Sequence, residues 1–290
     1  MRKYFQSCKL AAVVVSLLSS STFAGVTITG TRIIFPANQQ ATTVQLNNSE
    51  DRPAMVQAWL DNGDSSQIPE AGQIPFILTP PLTRLEAKKG QMIRLIAKDT
   101  ESLPKDRESV YWFNILDIPA VEQKAEDEAG NKLQVSVRSR IKLFYRPEKL
   151  KMPQEKAFSA VTMKYDAANK VVSINNPSPY YISFERVDLK NSKDKFSYTE
   201  ALMVAPFATE TFKPDIKFKP TKATYLLIND YGGSQTFNFD FDKGAAELVS
   251  TEPQPMKVEV IPVEPLSTKT EKNDASKAVE VETKAVEEGQ

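Results

Sequence analysis

LQVSVRSRIKLFY, residues 133–145, decides the fold class. Leu133, Val135, Val137, Ile141, Leu143 and Tyr145 take its odd positions, with Ser139 the one gap. Gln134, Ser136, Arg138, Arg140 and Lys142 take the even positions until Phe144 breaks the rule. Alternation with a period of two puts successive side chains on opposite faces of a β-strand, one apolar and one cationic. Strands average about 5–6 residues, so this run outlasts a strand that serves only its own sheet. A strand that overshoots its neighbours carries unpaired N–H and C=O groups that another chain can join.

Outward from this run the chain reads as short segments rich in Val, Ile, Thr and aromatics, with little helical periodicity. Strands are expected at 26–28, 43–47, 54–60, 91–96 and 110–115. After Arg146-Pro147 the pattern resumes at 160–162, 171–175, 181–184, 224–228 and 236–241. Such spacing predicts an all-β chain of two immunoglobulin-like β-sandwiches, each of roughly 100 residues. The domains are then 25–147 and 148–244, with 147–153 as the joint. Trp59 and Trp112 fall within apolar strands and read as core residues. From 245 to 290 there is no aromatic residue, and ten acidic side chains outnumber five basic ones. A segment of that kind cannot bury enough apolar surface to offset ordering entropy, so a disordered acidic tail is expected.

The chain start gives the compartment. Arg2, Lys3 and Lys9 precede an apolar stretch and the small-residue site Thr22-Phe23-Ala24, which predicts a signal peptide over 1–24 and export to the periplasm. The sequence has 0 His and 1 Cys, and Cys8 lies within that leader. Serine–histidine catalysis, thiol nucleophiles and the usual zinc sites are thereby excluded from the mature chain. No cofactor, metal or nucleotide is expected, and the chain is not read as an enzyme. Between 25 and 244 there are 29 basic and 27 acidic residues; that balance, with no dense basic block, speaks against nucleic acid as a partner.

Five segments in order carry a resemblance: GTRIIFPAN (30–38), DRESVYWFNILDIP (106–119), RIKLFYRP (140–147), NNPSPYYISF (175–184) and INDYGG (228–233). Together the chain resembles the PapD-like periplasmic chaperones of chaperone–usher pilus assembly. The resemblance implies two sandwiches in an L shape. It implies fimbrial subunits and an outer-membrane usher as partners, with no small-molecule substrate. Arg32 and Lys142 match the family's pair of cations that grip a subunit's C-terminal carboxylate. Leu133, Val135 and Val137 match the donor-strand positions that fill the subunit's groove by strand addition. Glu108, Arg146 and Asp230 match an ionic link between the domains. The polar connection at 120–132 lacks the flanking cysteine pair of long-loop members and favours the short-loop type.

Two rivals are weighed on the same residues. A two-domain fimbrial subunit or adhesin would receive a strand and not lend one. It has no reason to carry the GTRIIF and RIKLFYRP pair, and should show a donor extension after the leader. A periplasmic enzyme working through carboxylates would need a spacing that is not seen here.

Overall fold

The structure is a computed structural model of the 290-residue chain, described over residues 25–70, 72–119 and 135–251. The expected leader (1–24), the connection 120–132 with Leu133, and 252–290 of the expected tail lie outside the described residues.

Alternating apolar residues build the first domain from β1 (Val26–Ile28), β2 (Arg32–Pro36), β3 (Ala41–Asn48), β4 (Ala54–Asp61), β5 (Phe76–Thr79), β6 (Leu82–Leu85), β7 (Gly90–Ala97), β8 (Ser109–Pro119) and β9 (Val137–Arg146). One sheet has the order β1-β3-β7-β5 and the other β2-β9-β8-β4-β6. Phe35, Leu46, Val56, Ile93, Phe113, Ile115 and Leu143 are buried between them. Each such side chain contributes roughly 1.5–3 kcal/mol by leaving water. Along β4 the inward residues Ala54, Val56, Ala58 and Leu60 are buried, and Met55, Gln57 and Trp59 point outward. The core reading of Trp59 and Trp112 is therefore corrected: both rings belong to the outer face of the second sheet, only partly buried. Period two assigns a residue to a face, but not the face to the core.

The strand expected at 133–145 is shorter than its alternation suggested. It begins at Val137, paired with Asp117 of β8, and Val135 is exposed just ahead of it, outside the strand. β8 itself runs on to Pro119, but its pairing with β9 ends at Asp117, and 135–136 stay out of the ladder. At 10 residues β9 is still a long strand.

The second domain opens with a short helix α1 (Gln154–Ser159), unread in the sequence, which follows Pro153 and buries Ala157 and Phe158. Then come β10 (Thr162–Asp166), β11 (Val171–Asn175), β12 (Ile182–Lys190), β13 (Lys195–Tyr198), β14 (Leu202–Val204), β15 (Thr209–Phe212), β16 (Lys222–Ile228), β17 (Ser234–Asp240) and β18 (Ala245–Thr251). The order β10-β11-β15 faces β13-β12-β16-β17-β18, with β14 also on β12. Tyr225, Phe237, Phe239, Val187 and Ile174 form its core.

The boundary expected at residue 244 is corrected. The chain turns at Gly244, whose amide donates to the Asp240 carbonyl at 2.8 Å. It then returns as β18 along β17. Composition argued against order because the segment lacks aromatics, yet edge pairing is made of backbone bonds that need none.

Candidate functional site

The first domain's two ends of chain meet side by side. β2 runs parallel to β9, and the register sets Arg32 opposite Lys142 and Pro36 opposite Arg146. In a parallel pair, facing residues project to the same side of the sheet, so one row carries both cations. Below that row β9 continues to Val137 with β8 along one edge and, among the described residues, no strand along the other. Val137 is 53% exposed and Val135 61%. Ile141 packs partly against the first domain's core and Leu143 is buried in it. The inward face of β9 is thus covered at home only from Ile141 onward.

The cation row opens into a cleft of about 590 Å³ lined by Arg32, Lys142, Trp112, Arg140, Glu185 and Ser234, among others. The Arg32 Nη1 donates to the Ile228 carbonyl at 2.9 Å, and its guanidinium lies over the Phe144 ring at 5.6 Å. Its Nε is buried without a partner. The Lys142 ammonium donates to Ser183 Oγ at 3.3 Å. Burial, and then the charge of Arg32, bring the Lys142 pKa down from 10.5 to about 8. Burial likewise lowers Arg32, against the pull of Asp230 and Glu108. Two poorly solvated cations in one row, one of them with a buried donor unused, are chemically suited to an anion, because a carboxylate would restore the solvation that both have lost.

The residues expected to join the domains are brought together. The Arg146 Nε donates to Glu108 Oε1 at 2.7 Å, and Nη1 and Nη2 donate to the two Asp230 oxygens at 2.6 and 2.9 Å. Gln154 donates to Asp230 as well, and the other Glu108 oxygen accepts from the Tyr181 amide at 2.8 Å. Burial lifts the Glu108 carboxyl above its ordinary value, with Arg146 opposing. Burial alone would lower Arg146, and its bonds to Asp230 and Glu108 reverse that and raise it. Every oxygen and nitrogen of the cluster that faces another domain is spoken for, which fixes an angle more than it adds stability.

Several members were not read from the sequence. Phe144, the residue that broke the alternation, is buried against Tyr181 with ring centroids 5.9 Å apart. Ser183, Glu185 and the Ile228 carbonyl come from the second domain, and nothing in local spacing marks them. Trp112 and Arg140 carried a signal: with Trp59, Asp61, Asn114 and Arg138 they form three pairs with the same two-residue step.

Residues 25–151 match the model of the pili and flagellar-assembly chaperone PapD N-terminal domain, and residues 156–239 match that of the PapD C-terminal domain. A probable fimbrial chaperone YadV of Escherichia coli K12 is 39% identical over 230 residues, covering 78% of this chain and 93% of that protein. The chaperone protein HifB of Haemophilus influenzae is 41% identical over 221 residues, covering 76% and 89%. Among solved structures, the YadV chaperone superposes with a TM-score of 0.64 at 37% identity, covering 75% of this chain and all of that one. The SafB chaperone in complex with the SafA pilin of Salmonella enterica gives a TM-score of 0.64 at 25% identity, covering 77% and 98%.

Proposed function

The chain belongs to the PapD family of pilus-assembly chaperones, and from that premise we propose that it captures fimbrial subunits by lending them the open half of β9. The subunit's terminal carboxylate is held between Arg32 and Lys142. The single observation that carries this reading is the register of β2 on β9, which sets the cation pair at the row where the open edge ends. A guest whose chain end reaches that row must run in the same direction as β9. Its backbone bonds to residues 137–141, a span of about 16 Å at roughly 3.3 Å per residue. Val137, with Val135 and Leu133 ahead of it, then enters the guest's groove. Backbone bonding gives affinity that subunits of different sequence share, and alternate side chains give the fit.

Glu108, Arg146 and Asp230 hold the second domain so that Ser183 and the Ile228 carbonyl complete the anchor. The role is not enzymatic: capture and release exchange strands and break no covalent bond. The protein works in the periplasm and passes its cargo to an outer-membrane usher. The test is to produce the chain with the fimbrial subunit encoded beside it and isolate a soluble one-to-one complex. Arg32→Ala and Lys142→Ala are each expected to lose the subunit and stay folded. Retention at wild-type level by both variants overturns the anchor.

A further inference from the structure

The outer face of the open half of β9 is crossed by a lattice of arginine and tryptophan. Three rows run over β4, β8 and β9: Gln57, Leu116 and Arg138; Trp59, Asn114 and Arg140; Asp61, Trp112 and Lys142. Each arginine leans one row along. Arg140 lies over Trp112 at 4.6 Å and donates to Asp61 Oδ2 from Nε at 3.0 Å and to Oδ1 from Nη2 at 2.5 Å. Arg138 lies over Trp59 at 4.9 Å and donates to Asn114 Oδ1 from Nε and Nη2 at 3.1 and 2.8 Å. Asn114 in turn donates to Asp61 Oδ2 at 2.8 Å. Both arginines also reach the loop after β4, at the carbonyls of Gly63 and Ser65.

Asp61 is the point on which this lattice converges. Its relative exposure is 0%, and its oxygens accept from Arg140, Asn114 and the Gly63 amide, with Arg138 at 3.7 Å. Burial would raise its carboxyl, and the donors together more than reverse that and hold it below the ordinary carboxylate value. A buried carboxylate facing a sheet exterior serves no core. What it holds is the two arginines of a strand segment that, among the described residues, lacks a neighbour along one edge and lacks cover over Val137.

We propose that Asp61 is a positioning residue for strand capture: through Arg140, and through Asn114 and Arg138, it holds residues 137–141 of β9 extended and in plane with β8 before a guest arrives. This rests on the strand-lending reading above. A guest that meets an ordered edge does not have to order it, so the lattice acts on association. Once the guest is bound, its own backbone supplies the missing restraint, so dissociation is left alone.

The test uses the full chain and the subunit encoded beside it. In Asp61→Asn, amides at 137–141 are expected to exchange with solvent at least tenfold faster, while 142–146, clasped between β8 and β2, keep their wild-type protection. Subunit association slows by about tenfold and dissociation does not change. The chain's 2 tryptophans are both in the lattice, so intrinsic fluorescence shifts in the free variant without any label. A merely structural role would instead raise exchange across β8 and 142–146 alike and spare the association rate; that result overturns the proposal. If Asp61→Asn does not fold, Arg138→Ala leaves the Asp61–Arg140 pair intact and should loosen 137–139 and slow association several-fold. Wild-type exchange and association in that variant also overturn it. If the wild-type chain captures no subunit, the strand-lending reading fails first; if it captures normally and the variants match it, Asp61's role alone fails.

Discussion

Lys142→Met should make the free protein more stable while it abolishes subunit capture. The ammonium lies in a cleft where burial and Arg32 depress its pKa from 10.5 to about 8. At about 1.4 kcal/mol for each tenfold change in proton affinity, the charged form is penalised by at most about 3.5 kcal/mol. Lys142 is only partly buried, and solvent screening reduces this to about 1.5–2 kcal/mol. Loss of the 3.3 Å contact with Ser183 removes about 0.5 kcal/mol, leaving a gain near 1 kcal/mol. For a protein of this size that is a rise in Tm of about 2–4 °C at pH 7. Between pH 8 and 10.5 the unfolded lysine binds more proton than the folded one, so wild-type stability rises with pH in that window. The gap to the variant is full below pH 8 and closes by pH 10.5. Thermal unfolding of both proteins at pH 7, 8.5 and 10.5, with subunit pull-down in parallel, reads all of this. A variant less stable than wild type at pH 7, or a gap that does not change with pH, refutes the account of the cleft as a site of two unsolvated cations.

Arg146→Met strands Glu108, which is 3% exposed, and should cost about 3–5 kcal/mol, seen in urea unfolding together with faster proteolysis near residue 150. Val137→Asp changes an exposed residue, so the free protein should stay within about 0.5 kcal/mol of wild type while co-purification of the subunit is lost. Removal of residues 245–290 uncovers the edge of β17 and should lower the second domain's Tm and promote self-association by light scattering, whereas removal of 252–290 should do neither.

The strand that opened the reading was legible because its side chains divide by face, and that division survives in Leu143 and Tyr145, both buried. Its start was not legible, since the alternation runs on through Val135 although the pairing with β8 begins only at Val137. The short strands β5, β6, β13, β14 and β15 have three or four residues each, too few for period two to stand out. The cation pair was legible through its family setting, but Arg32 meets the Ile228 carbonyl across 196 positions, a contact no local pattern encodes. The arginines at 138 and 140 were read only as part of the strand's cationic face. Their partners sit on the next strand, at Asn114 and Trp112, and two strands away, at Asp61 and Trp59, and period two says nothing about which groups those strands will present.

The place where β2 begins has a consequence for what the protein leaves alone. A strand laid along 137–141 and continuing past the row of Lys142 runs into Thr31 and Arg32, because β2 already occupies that lane. An internal stretch of an unfolded polypeptide therefore has no way through, however apolar it is. Only a chain that stops there fits, and its terminus is the one backbone group carrying a full negative charge to meet the two cations. On the strand-lending proposal, steric blockage and charge thus apply the same filter, which would keep an exposed edge from being fouled by other unfolded chains.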